Sequence, residues 1–290
     1  MNTKNNIYVF CNQKGGVGKT TTVINLGACL AQLGFKILIV DTDPQGNATS
    51  GFGVDKNTCA STIYENIIQN KPIEQTIIKQ VIQNVDLVPS NAHLAGLEIE
   101  IISFSNREYY LKNILNQVVE NYDFILIDCP PSLGLLTINA LTAANRLIIP
   151  LQCEYYALEG LGQLINTFNL VKERLNNNLE LYGVMMTMAD FRTNLTEQVI
   201  NEVKDFFQEK VFAAIIPRSI KLSEAPGFGK PAILYAPNSR GAFNYRLLTE
   251  EFLDRQNIPY NYQKEDKDEN VLNNYDLKNV SDNIIEKVEE

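Results

Sequence analysis

Eight consecutive residues, Lys14-Gly15-Gly16-Val17-Gly18-Lys19-Thr20-Thr21, combine the groups that can hold a nucleoside triphosphate. Glycines let the backbone curl so that successive N–H groups point at phosphate oxygens, and a helix opening behind them adds the positive end of its dipole. Lys19 is placed to reach the β- and γ-phosphates, and the Thr20 hydroxyl to ligate Mg²⁺. The strict P-loop pattern asks for glycine at position 13, where this chain has Gln13, so the loop is a variant. Lys14 is the unusual member. A second lysine at the head of the loop is redundant if it only neutralises the nucleotide of its own chain.

Two acidic motifs suit the same chemistry. Asp41-Thr42-Asp43-Pro44 ends an apolar run at 36–41, and Asp128 ends another at 124–128, just before Cys129-Pro130-Pro131. In open α/β sheets ligands bind outside the carboxyl ends of the strands, so both motifs belong beside the loop. Asp128 is expected to hold a Mg²⁺-bound water, and the proline pair to begin a switch loop. Asp41 has two readings, a neighbour of the metal or a turn cap.

These residues need a scaffold. Near-continuous apolar runs at 7–11, 36–41, 85–88, 124–128, 147–151 and 184–188 predict strands covered on both faces. Helical spacing appears from Val23 to Leu30 and over 107–121, 158–175 and 195–208. Strand–helix alternation predicts a doubly wound α/β fold, a mostly parallel sheet with helices on both faces. One domain is expected over residues 1–260. An acidic segment follows at 261–290, poor in large apolar residues until Ile284-Ile285, with a terminal helix expected from Ser281.

Composition narrows the class. Of the 290 residues 45% are hydrophobic and 20% charged, as in a core-forming globular chain. No apolar stretch approaches the roughly 18 residues of a membrane span, and no signal-peptide core opens the chain, so a cytoplasmic location is expected. Five cysteines at 11, 29, 59, 129 and 153, without a CxxC pair, argue against a disulfide framework and a zinc site. The single histidine, His93, reads as part of a helix start, which leaves a Ser-His-Asp hydrolase without support. The net charge of −9 is uneven. Nine acidic and four basic residues at 261–290 leave −5 there, whereas 210–246 carries six basic residues against Glu224.

From about residue 7 to 252 the sequence resembles the ParA/Soj chromosome-partitioning ATPases of the deviant Walker A, or MinD/ParA, superfamily. The resemblance rests on the loop at 14–21, DTDPQGNATSG at 41–51, DCPPSLGLLTINAL at 128–141, QCEYYALEG at 152–160 and IPRSIKLSEAPGFGKP at 216–231. It implies ATP hydrolysis to ADP and phosphate with Mg²⁺, the nucleotide held by Lys14, Gly15, Gly16, Val17, Gly18, Lys19, Thr20 and Thr21. Pro217 matches the adenine-pocket region. It further implies an ATP-dependent homodimer in which Lys14 reaches the partner's ATP. Such a role is similar to that of an arginine finger, which is worth about 10³–10⁵ in rate. Asp43 matches the switch residue that organises the attacking water, and Thr20, Asp43 and Asp128 form the metal side of the site.

Partners also follow from the resemblance: non-specific double-stranded DNA, a ParB/Spo0J-type centromere-binding protein, and hence a nucleoid-associated protein. Arg192 and Lys221 match the group's DNA-contact positions, and Arg218 is a weaker candidate, as are Lys230 and Arg246. The group usually has arginine at position 221; lysine meets a phosphate as a point charge without the bidentate fork. A MinD-like membrane ATPase would share the phosphate motifs, but this chain closes on Glu286-Lys287-Val288-Glu289-Glu290, which anionic lipid repels. An iron-protein-like electron carrier would need paired cluster cysteines, and Cys129 has no second cysteine near residue 100 to join it.

Overall fold

Each apolar run that reads as a doubly covered strand forms one. The computed structural model describes residues 6–155, 157–158 and 160–261. Its strands are β1 (Ile7–Phe10), β2 (Ile37–Asp41), β3 (Ile78–Ile82), β4 (Val85–Val88), β5 (Phe124–Asp128), β6 (Arg146–Gln152) and β7 (Glu180–Thr187). They make one sheet in the order β3-β4-β2-β5-β1-β6-β7, parallel except for the β3–β4 pair.

Every residue of β1, β2 and β5 is buried. Side chains alternate between two cores, as a strand's period of two requires. Ile7, Val9, Leu38, Val40, Ile125 and Ile127 face one side, under helices Leu135–Ala143, Leu161–Arg174 and Asn194–Phe207. Tyr8, Phe10, Ile37, Ile39, Phe124 and Leu126 face the other, under helices Lys19–Gln32 and Arg240–Asp254. The register then sets the chemistry. Asp128 pairs with Asp41 on one side and with Phe10, the last strand residue before the glycine loop, on the other.

Some elements depart from the expected pattern. β3 was not foreseen: its sequence IKQVI is half-exposed and mostly unalternating, and it bulges against β4 with Gln80 at φ 50°. The expected helix over 107–121 is broken into short turns around Tyr110–Leu115. The β-branched pair Val118-Val119 follows, with Val118 at φ −127°. Helix Leu135–Ala143 is apolar nearly all round, so no amphipathic period marks it. Beyond β7 the chain returns along its outer edge, where Phe212 N donates to Val184 O at 2.8 Å and Ile216 N to Met186 O at 2.9 Å.

His93 donates its backbone N–H to the Asn91 side chain that caps a short turn, the ordinary role expected of it. All five cysteines are free. No described helix is long and apolar enough to cross a membrane. The acidic segment beyond residue 261, with its expected helix from Ser281, lies outside the described residues.

Phe252 anchors the last described helix in an aromatic cluster, with ring centroids 4.8 Å from Tyr8, 5.4 Å from Tyr182 and 5.5 Å from Phe124. We expect Phe252→Ala to cost about 3–5 kcal/mol in urea unfolding, the range for a deleted core aromatic.

Candidate functional site

The glycine loop leaves β1 through Cys11 and turns into helix Lys19–Gln32. Gly16 and Gly18 adopt φ 74° and 88°, left-handed values that side chains resist, so the curl depends on glycine there. Neighbouring strands clamp the loop. Asn12 Nδ2 donates to Pro150 O at 2.8 Å, and its Oδ1 accepts from Lys14 N at 3.0 Å. Thr187 Oγ1, at the end of β7, donates to Val17 O at 2.8 Å. No side chain caps the helix behind the loop, which leaves its first amides for an anion.

Lys19 is buried, its Nζ donating to Lys14 O at 3.2 Å. Thr20 Oγ1 donates to Asp128 Oδ2 at 2.7 Å, while the buried Asp128 Oδ1 has no hydrogen-bond partner among the described residues. Asp41 accepts from Thr49 N at 2.8 Å, Thr49 Oγ1 at 2.7 Å and Asp43 N at 3.1 Å. Of the two readings for Asp41, its hydrogen bonds are those of a turn cap. Asp43 accepts from Gln45 N at 2.8 Å, and its backbone carbonyl accepts from Ser90 Oγ at 2.7 Å.

Three carboxylates are thus buried together, with Lys19 as the nearby cation. Burial pushes Asp41 up to about 6. Asp128 rises well above the usual carboxylate range, through burial first and the charge of Asp41 second, against the pull of Thr20 and Lys19. A divalent cation beside Thr20 and the unpartnered Asp128 oxygen would relieve that strain, so the donor set fits Mg²⁺. No cluster of three or more His, Cys, Asp or Glu side chains forms a protein-only cage among the described residues. Mg²⁺ held largely by phosphate oxygens and water needs none.

Lys14 points elsewhere. Its ammonium pairs with Glu154 Oε2 at 2.5 Å, and Gln152 Nε2 donates to the other Glu154 oxygen. Both members of the pair are 44% exposed. Glu154 lies in one of the motif segments, yet nothing local marks it as a partner 140 positions from Lys14. Thr49, Ser90, Asn12 and Thr187 are likewise site residues that no spacing rule identifies. Pro217 is buried and bridges to Ala189, two residues past Thr187, on the same edge of the sheet as the loop.

The basic positions only partly converge. Arg192 makes a two-pronged pair with Asp190 at 2.7 and 2.6 Å, and Lys221 pairs with Glu224 at 2.8 Å beneath the Tyr235 ring. Arg192, and after it Arg218, hold the Asp190 carboxyl at about 2. Lys210 does not join them: its carbonyl contacts Arg255, at the far end of helix Arg240–Asp254. Arg246 donates to Pro237 O at 2.9 Å.

Removing the charge of Asp128 tests the electrostatic account. We expect Asp128→Asn to raise the melting temperature of the nucleotide-free protein by about 2–4 °C, about 1 kcal/mol at this size, while abolishing the rise that Mg²⁺-ATP gives the unmutated chain. The pH dependence has a definite sign. A carboxyl raised from 3.8 to about 6 stabilises the fold fully below 3.8 and loses that contribution as pH climbs through 6. Melting of the nucleotide-free chain at pH 5 and pH 7 should show this share of stability at the lower pH, reduced in Asp128→Asn.

The AAA_31 family, described as an AAA domain, matches residues 5–181. The sporulation initiation inhibitor protein Soj of Bacillus subtilis is 54% identical over 245 residues, 84% of this chain and 97% of that protein. The chromosome partitioning protein ParA of Myxococcus xanthus is 48% identical over 253 residues, covering 87% and 89%. A Mycobacterium smegmatis structure described as cobyrinic acid a,c-diamide synthase, with bound ATP analog and magnesium, superposes with a TM-score of 0.79 at 36% identity, covering 87% and 95%. The glycine loop, the buried acids behind it and this extent of identity lead to one conclusion: the chain belongs to the ParA/Soj-type P-loop ATPases of the MinD/ParA superfamily.

Proposed function

We propose that the chain partitions chromosomal or plasmid DNA through an ATP-driven cycle of dimerisation, DNA binding and hydrolysis. One observation carries this reading most directly. Lys14, half-exposed at the head of a clamped phosphate loop, is paired among the described residues with the half-exposed Glu154, so a second chain's nucleotide can compete for it.

The roles follow the geometry. Gly15, Gly16, Val17, Gly18 and Thr21 cradle the phosphates with their backbone, and Lys19 supplies the charge inside the loop. Thr20, Asp128 and Asp43 stand on the metal side; Mg²⁺, when bound, neutralises charge on the phosphates. Asp43 orients the attacking water, held by its bonds to Gln45 N and Ser90. Pro217 borders the adenine. In the dimer Lys14 exchanges Glu154 for the partner's ATP.

DNA binding by this acidic protein rests on phosphate contacts from Arg192, Arg218 and Lys221, doubled in the dimer, and is therefore sequence-indifferent and steeply salt-dependent. A ParB/Spo0J-type partner accelerates hydrolysis and releases the dimer, which operates on the nucleoid in the cytoplasm.

The decisive experiment is binding to unrelated DNA duplexes with ATP, ADP or no nucleotide, at low and moderate salt. We expect binding only with ATP, weakened by Lys221→Ala, absent in Lys19→Ala and prolonged in Asp43→Ala. Sequence-indifferent binding that ignores nucleotide, or none in any state, would remove the partition role. Normal ATP turnover by Asp43→Ala would remove its catalytic role. The Glu154 pair is exposed, hence worth at most about 1 kcal/mol. Glu154→Gln should accordingly lower the concentration for ATP-dependent dimerisation by no more than about fivefold in sedimentation velocity.

A further inference from the structure

The basic face is not only basic. Ile220 is 75% exposed, Phe228 64% and Leu234 45%, and they surround Lys221 and the Phe228–Tyr235 stack, whose centroids lie 4.7 Å apart. Large apolar side chains this exposed, beside Lys221, Lys230, Arg218 and Arg192, suit a ligand that is both acidic and apolar better than a bare phosphate backbone.

The chain carries such a ligand. Residues 262–290 hold nine acidic and four basic residues, and Val280, Ile284 and Val288 recur every four positions among them. The segment starts at the far end of helix Arg240–Asp254 from the face. Fifteen helical residues rise about 22 Å. At a reach of up to about 3.3–3.6 Å per residue, the 29 residues from 262 to 290 are long enough to span that distance.

We propose that residues 262–290 dock in cis on the Lys221–Phe228 face and shield it from DNA. The DNA half of this statement rests on the function proposed above; the docking does not. Carboxylates of the segment exchange with Asp190 and Glu224 for the face's cations, and its apolar residues cover Ile220 and Phe228. DNA, with its higher charge density, displaces the segment when the dimer presents two faces at once. The segment thus raises the threshold for loading and confines binding to the ATP dimer.

Two measurements on the full-length chain test this. Zero-length carbodiimide coupling followed by mass spectrometry should join Lys221 or Lys230 to carboxylates within 265–290, in a product that stays monomeric on dilution. Coupling spread evenly to lysines on other surfaces, such as Lys79 and Lys172, or found only between chains, would overturn docking in cis. In parallel, Glu265→Gln/Asp266→Asn/Asp268→Asn/Glu269→Gln should bind DNA with ATP about three- to tenfold more tightly at low salt, the gain fading as salt rises. Unchanged affinity would overturn the shielding. If neither protein binds DNA, the partition reading fails, while the coupling pattern still decides the docking.

Discussion

Three carboxylates, Asp41, Asp43 and Asp128, share the carboxyl edge of one buried sheet, and the rest of the molecule is arranged around the cost of keeping them there. Because β5 lies between β2 and β1, Asp128 is brought level with both Asp41 and the start of the glycine loop. Asp41 is satisfied internally by Thr49 and the Asp43 amide. Asp128 is not, and its free oxygen beside Thr20 is where the fold gives up stability in favour of a ligand. A bound metal ion therefore acts on folding as well as on chemistry, because it supplies the positive charge that the three acids lack.

The loop facing those acids is rigid where the phosphates lie and loose where a second chain would enter. Asn12 ties the start of the loop to Pro150 of β6, and Thr187 of β7 and Thr22 of the first helix hold its backbone further on. Lys14, by contrast, is held among the described residues by one exposed ion pair. Preorganised donors favour binding without reorganisation, and a weakly held lysine can change partners at little cost. The two behaviours sit within five residues of each other.

How much of this was legible beforehand follows from the range of the interactions. The phosphate loop and the central strands were, because β1, β2 and β5 are sealed on both faces and so read as plain apolar runs. β3 was not: its Lys79 and Gln80 face solvent, and it is held by pairing with β4 rather than by a core pattern. The helix expected over 107–121 failed where Val118 leaves helical geometry. Glu154 was invisible as a partner because its link to Lys14 spans 140 positions. Lys210 looked like part of the basic island only because sequence proximity hid the length of helix Arg240–Asp254 that separates it from Arg240.

Both margins of the sheet are closed to further strand pairing. On one side β3 is short, bulged and carries Lys79. On the other, the returning segment takes up β7 backbone groups through Phe212 and Ile216. Such edges do not template another chain. Any assembly this protein forms with copies of itself must therefore grow through side-chain surfaces, and it can come apart without a continuous backbone ladder to dismantle.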